Sequence, residues 1–123
     1  MRDWNEDPII LCRKHLLGSH VESHMVIGCI KRGHSLDGYT DKGLIDVSRL
    51  SQWHDGVARE IESRGWNHKS PYDDLIARKA RLTYRVGYIY YRKSIKELAE
   101  RCPDCKFRID RIIKCDLYSQ GRA

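Results

Sequence analysis

Asp7-Pro8-Ile9-Ile10 opens the chain's longest apolar-periodic stretch, which continues through His15-Leu16-Leu17-Gly18-Ser19-His20-Val21-Glu22 to Met25 and Ile27. An aspartate followed by proline is an N-cap with proline at the first helical position. Behind it Ile9, Ile10, Leu16, Leu17, Val21, Met25 and Ile27 recur at the spacing of one broad buried face. This predicts a long N-terminal helix from about Pro8 to about Lys31, with Gly18 as a weak point inside it. Gly33, Gly38 and Gly43 then mark a turn-rich connection.

Working outward, Leu50, Trp53, Val57 and Ile61 share one helical face, with Ser48 to cap its start and Gly65 to close it. A second helix is therefore expected over Ser48–Arg64. Ser70-Pro71 opens a third, with Leu75, Ile76 and Leu82 facing inward. The tract Tyr84–Tyr91 reads as a loop, a short strand or an irregular entry to a helix over Lys93–Arg101, which Pro103 stops. The tail from Lys106 can form one more short helix. The fold class is all-α: one compact domain over residues 1–123, a long N-terminal helix, irregular connections and a cysteine-stapled tail at 102–123.

At 123 residues the chain is long enough for one core. No apolar run approaches the roughly 18 residues of a membrane span, and the N-terminus lacks a signal-peptide layout. Five cysteines and no export signal predict free thiols in a reducing compartment, the cytoplasm. The net charge of +6 is unevenly placed. Residues 1–62 carry 8 Lys/Arg against 10 Asp/Glu; residues 63–123 carry 15 against 7. A basic half suits a polyanion, because each neutralised phosphate releases counterions. A solubilising charge excess is the plainer alternative.

Four segments, in order, resemble the phage and viral pyrimidine-dimer DNA glycosylases of the endonuclease V type. They are Arg2; Cys12-Arg13-Lys14-His15-Leu16-Leu17 with Glu22; Lys31-Arg32-Gly33; and Arg64-Gly65-Trp66-Asn67-His68-Lys69. The likeness covers roughly residues 1–71. It implies a repair enzyme that acts on damaged pyrimidines in duplex DNA, with abasic-site lyase activity and no required cofactor. In that family an N-terminal α-amine attacks C1′ of the sugar, and the Schiff base it forms permits β-elimination. An α-amine suits this role because its ordinary pKa, near ~8, leaves it partly neutral at physiological pH. The resemblance makes Met1 and Glu22 the catalytic pair. Met1 takes the place of the family's attacking threonine, since Arg2 disfavours methionine removal. Val21 departs from the family's DNA-binding arginine, and His20 and His24 flank Glu22 instead. The alternative is a non-catalytic or lyase-only DNA-binding protein of the same fold.

Candidate DNA contacts are Arg2, Arg13, His15, His20, Lys31, Arg32, Arg64 and Lys69. The stripe Arg78, Arg81 and Arg85 joins them, with Tyr88 as a base-stacking residue. Cys102-Pro103-Asp104-Cys105, with Cys115, can supply three ligands of a structural zinc, and a histidine such as His68 the fourth. Cys12 and Cys29 read as packing residues and Trp53 as core. The expected partner is damaged double-stranded DNA, bound by a monomer.

Overall fold

The computed structural model describes residues 1–68, 71–84 and 87–121, from residue 115 on as backbone only. Six α-helices and two 3-10 turns, with no strand among the described residues, make the fold all-α as expected. Helix α1 spans Arg13–Lys31, α2 Asp37–Asp41, α3 Leu50–Ser63, α4 Asp74–Thr83, α5 Tyr91–Arg101 and α6 Pro103–Gly121. No described helix is long and apolar enough to cross a membrane.

Local chemistry sets most boundaries. The Asp7 carboxylate accepts from the Ile9 N–H, but the turn it caps is only the 3-10 turn Pro8–Ile10. The predicted single helix from Pro8 is broken at Leu11 and Cys12, whose backbones are extended, and α1 begins at Arg13. Asp46 caps the 3-10 turn Val47–Arg49, which leads directly into α3. The third helix starts later than Ser70-Pro71 implies, because Asp73 is its cap and accepts from the Ile76 N–H. Tyr84 and residues 87–90 lie outside any helix. The C-terminal helix starts at Pro103 itself, so the proline ends α5 and opens α6.

Three helices end in the same way. Behind α1, Gly33 N–H bonds Ile30 O and His34 N–H bonds Cys29 O; Gly65 and Trp66 repeat the pattern behind α3, and Gly43 and Leu44 behind α2. These paired bonds define the Schellman closure, which needs a left-handed residue. Gly33, Gly43 and Gly65 supply it with φ of 71°, 70° and 84°.

Helix α1 packs against α3 and α4, and α6 packs against α5 and the Pro8–Ile10 turn. The core includes Leu16, Val26, Leu50, Trp53, Val57 and Leu98. The indole N–H of Trp53 donates to Ser19 Oγ at 2.9 Å, joining α3 to α1 inside the core. The buried face of α1 is narrower than its apolar pattern predicts. Val21 and Met25 are more than half exposed, whereas Ser19 and Ser23 are buried. In α4 the residues facing inward are Ala77 and Ala80, while Leu75 and Leu82 face solvent. The core-facing sides of α1 and α4 are lined in part by small residues, which let neighbouring backbones approach and turn larger side chains outward.

Candidate functional site

The N-terminal segment is held by named bonds. Asp3 N–H donates to Leu44 O at 2.9 Å. The Arg2 guanidinium donates to Glu97 Oε2 at 2.6 Å and to Ser94 Oγ at 2.9 Å, both on α5, and lies 4.2 Å from the ring centre of Trp4. Trp4 is buried and meets the His15 ring edge-on, 6.1 Å between centroids. Met1 is half-buried against the core. The start of the chain is thus clamped between α5 and α1.

Glu22 stands seven residues after His15, almost two full turns at 3.6 residues per turn, so the two share one face of α1. Their charges interact. Burial lowers the His15 pKa, with Lys14 and Arg101 acting in the same direction, and Glu22 opposes them.

Two side-chain clusters flank this face. The first joins Cys12 and His15, at the start of α1, to Cys102 and Cys105, at the α5–α6 junction. Their four ligand atoms lie within 4.8 Å of one another. Cys12 Sγ is 3.8 Å from Cys102 Sγ and 3.3 Å from His15 Nδ1. Cys105 Sγ accepts from the Cys12 N–H at 3.2 Å, and Cys102 Sγ from the Cys105 N–H at 3.4 Å. Burial pushes the Cys102 pKa up, but hydrogen bonds from Cys105, Cys12 and the Asp104 backbone outweigh it and leave the thiol below its ordinary value. Cys102 and Cys105, expected as zinc ligands, stand together, beside two residues not expected there. Cys12, expected to be packing alone, and His15, expected at DNA, complete the set. The side chain of Cys115 lies outside the described residues, and His68 is elsewhere.

His68 belongs to the second cluster, with His20 and His24 of α1 and His54 of α3, again within 4.8 Å. His20 Nε2 lies 2.7 Å from His68 Nε2 and 3.2 Å from His24 Nε2. Tyr72 stacks on His54 at 4.1 Å with the rings 4° from parallel. Burial, followed by the charges of His24, His68 and His54, pushes the His20 pKa down to about 4. His24 is lowered for the same reasons. The i, i+4 pair His20 and His24 was the one local signal for this cluster; His54 and His68 arrive from other elements.

A family model described as pyrimidine dimer DNA glycosylase matches residues 1–74. The chain belongs to the pyrimidine dimer DNA glycosylase family. No curated protein and no solved structure matches it. The family's activity is that of a DNA repair glycosylase, and its substrate is DNA carrying pyrimidine dimers. The match spans α1, α2 and α3, the elements that carry Glu22 and the glycine closures, and ends at the start of α4.

Within this family member the candidate DNA contacts fall into groups. Arg2 is engaged with α5, as above. Arg64 donates to Leu11 O at 2.7 Å, pairs with Glu60 and anchors the loop before α1. Arg13 is exposed, with its guanidinium 5.1 Å from the Trp66 ring centre. Lys31 is 3.5 Å from Asp73, and the exposed Arg32 lies over Gly28. Arg78 pairs with Asp74 at 2.6 Å, and both line a groove of about 470 Å³ together with Arg81. Tyr88 is 80% exposed, which leaves its ring face open to a base. Lys69 and Arg85 lie outside the described residues.

Proposed function

We propose that this chain removes damaged pyrimidines from duplex DNA and then cleaves the strand at the abasic site, using the Met1 α-amine and the Glu22 carboxylate. The observation that carries the reading is the clamp on residues 2–4. It ties Arg2 to α5, Asp3 to Leu44 and Trp4 to the His15 ring of α1, seven residues before Glu22. A terminal amine left loose in solvent would have to be ordered at each encounter, at a cost in entropy; a clamped one reacts as a neighbouring group.

The chemistry balances without an external reagent. The amine lone pair forms a bond to C1′ as the glycosidic bond breaks, and the base leaves with a proton. Opening of the sugar ring gives the C1′ iminium. Glu22 stabilises the positive charge that develops on the sugar and relays protons through ring opening. Loss of a proton from C2′ then expels the 3′ phosphate, which nicks the strand. Reaching C1′ requires the duplex to bend or the base to flip, at a cost of a few kcal/mol that damage reduces. Arg13, Arg32, Arg78 and Arg81, with Lys31, supply phosphate contacts, and Tyr88 a stacking face.

The proposal includes a structural zinc at Cys12, His15, Cys102 and Cys105. The donor set is a C-x2-H pair from one end of the chain and a C-x2-C pair from the other, a usual make-up for a closed tetrahedral site. A Zn–S bond of about 2.3 Å implies sulfurs about 3.8 Å apart, and Cys12 and Cys102 have that separation, 3.8 Å. Such an ion would join α6 to the start of α1, next to the ring on which Trp4 rests. The zinc takes no part in the amine chemistry.

Borohydride trapping on ultraviolet-damaged and abasic duplexes, with mass mapping of the adduct, tests the reading. A covalent adduct on both substrates, located on the Met1 amine and lost on N-terminal acetylation, is the expected result. Glu22→Gln should bind damaged DNA but turn over at least a hundredfold more slowly. An adduct on abasic DNA alone would reduce the activity to a lyase. Salt-sensitive binding with no adduct on either substrate would make the chain a non-catalytic DNA-binding protein.

A further inference from the structure

We infer that His20, His24, His54 and His68 form a second, all-nitrogen metal site that holds a divalent zinc ion and pins the segment after α3 to α1. The site is independent of the cysteine cluster and of the glycosylase reading. It shares no residue with the cysteine cluster or with the Met1–Glu22 pair, and it takes His20 out of the candidate DNA contacts.

The argument begins with lone pairs. A neutral imidazole has one N–H and one lone pair. His54 Nδ1 lies 3.0 Å from Asp55 Oδ1, so the Nδ1–H donates to the carboxylate and the lone pair is on Nε2. That Nε2 is buried and has no hydrogen-bond partner, in a residue only 4% exposed. The cluster it belongs to brings three more ring nitrogens within 4.8 Å. Buried acceptors of this kind are almost always satisfied. His20 Nε2 is already shared between His68 Nε2 at 2.7 Å and His24 Nε2 at 3.2 Å. One proton can bridge one of these gaps, not both, and the His54 lone pair still lacks a donor. A single cation satisfies all four at once.

The geometry and chemistry select the ion. Zn–N bonds of about 2.05 Å place tetrahedral nitrogens about 3.3 Å apart. The His20–His24 separation of 3.2 Å meets that value and the His20–His68 contact is tighter. Imidazole nitrogens suit zinc and its neighbours in the transition series and are poor partners for magnesium or calcium. The Asp55–His54 pair repeats the carboxylate–histidine arrangement common behind metal ligands. Tyr72 stacked on His54 holds that ring in plane, and its hydroxyl donates to Leu50 O at 3.3 Å. Two ligands sit one turn apart on α1, one lies on α3, and the fourth is three residues past Gly65. Four protein ligands close the coordination sphere. The ion would therefore be structural, holding the Trp66–His68 segment in place rather than activating water.

The test uses the full chain purified without chelator. Zinc is counted per chain by elemental analysis for the wild type, His68→Gln, His24→Gln and Cys102→Ser. Wild type should hold two ions; each histidine variant should lose one, and Cys102→Ser should lose the other. His68 is a half-buried loop residue, so His68→Gln keeps the helical core and should retain the wild-type circular dichroism. X-ray absorption at the zinc edge gives a reading that needs no variant. With both sites filled, the average zinc has half the sulfur neighbours of a Cys3His site alone. One ion per chain, sulfur-rich and unaffected by His68→Gln and His24→Gln, would overturn the proposal.

Discussion

Asp3 should make this protein less stable as pH rises from about 4 to about 7, and Asp3→Asn should remove that loss. The carboxyl is 2% exposed, and its Oδ2 has no hydrogen-bond partner. The nearest cation is Arg49 Nη2 at 3.7 Å. Burial is the largest influence and raises the pKa; Arg49, the Asn5 backbone N–H and the nearby Tyr91 pull it down, Glu6 pushes it up, and the outcome is about 7 against an ordinary 3.8. Below pH ~4 the group is protonated in both folded and unfolded chains and contributes no pH dependence. Between the two values only the folded chain holds the proton, so each rise in pH favours unfolding. Above about 7 both states are ionised and the loss is complete. A shift of about three pH units at ~1.36 kcal/mol each gives a loss of about 4 kcal/mol. Urea denaturation of wild type and Asp3→Asn at intervals from pH 4 to pH 8 measures it. The difference between the two proteins is the useful quantity, because it cancels the titration of the histidine and cysteine clusters. That difference should move by several kcal/mol in favour of the variant and flatten above pH ~7. A difference that does not change with pH, or one that favours wild type as pH rises, would refute the burial argument.

Two further outcomes follow from the geometry. Gly18→Ala should raise stability by about 0.5–1 kcal/mol in the same denaturation assay, because Gly18 lies inside α1 and an added Cβ there meets no atom within 4 Å. Arg81→Ala should weaken binding to duplexes of any sequence and reduce the salt dependence of log K by about one unit, measured by fluorescence anisotropy over a salt series; an unchanged slope would take the Arg81 face out of the DNA contact.

Helix boundaries could be read from the sequence where they depend on neighbouring residues. A capping aspartate and a glycine at positive φ act within a few bonds. This is why Gly65 in the sequence marks the end of α3, and why Asp7-Pro8 marks a cap although the turn it caps is short. The all-α class followed from the same local signals. The family was legible as well, because its markers lie in order along residues 1–74. Burial was less legible. Val21, Met25, Leu75 and Leu82 fit an apolar period but are exposed, because which side of a helix is covered depends on how closely its neighbours approach.

The clusters mark the clearest division. Cys102-x2-Cys105 announced two donors, and the spacing of Cys12 and His15 is its counterpart 90 residues earlier. Nothing local says that these pairs meet. The same holds for His20 and His24 with His54 and His68, which come from a second helix and the loop behind it. The sequence alone determined which groups could act: an N-terminal amine, a glutamate, thiols and imidazoles. Only the packing of α1 against α3, and of α6 against the turn before α1, decided which of them stand together. Proton sharing and metal binding act over a few ångströms in space, and positions along the chain do not record that distance.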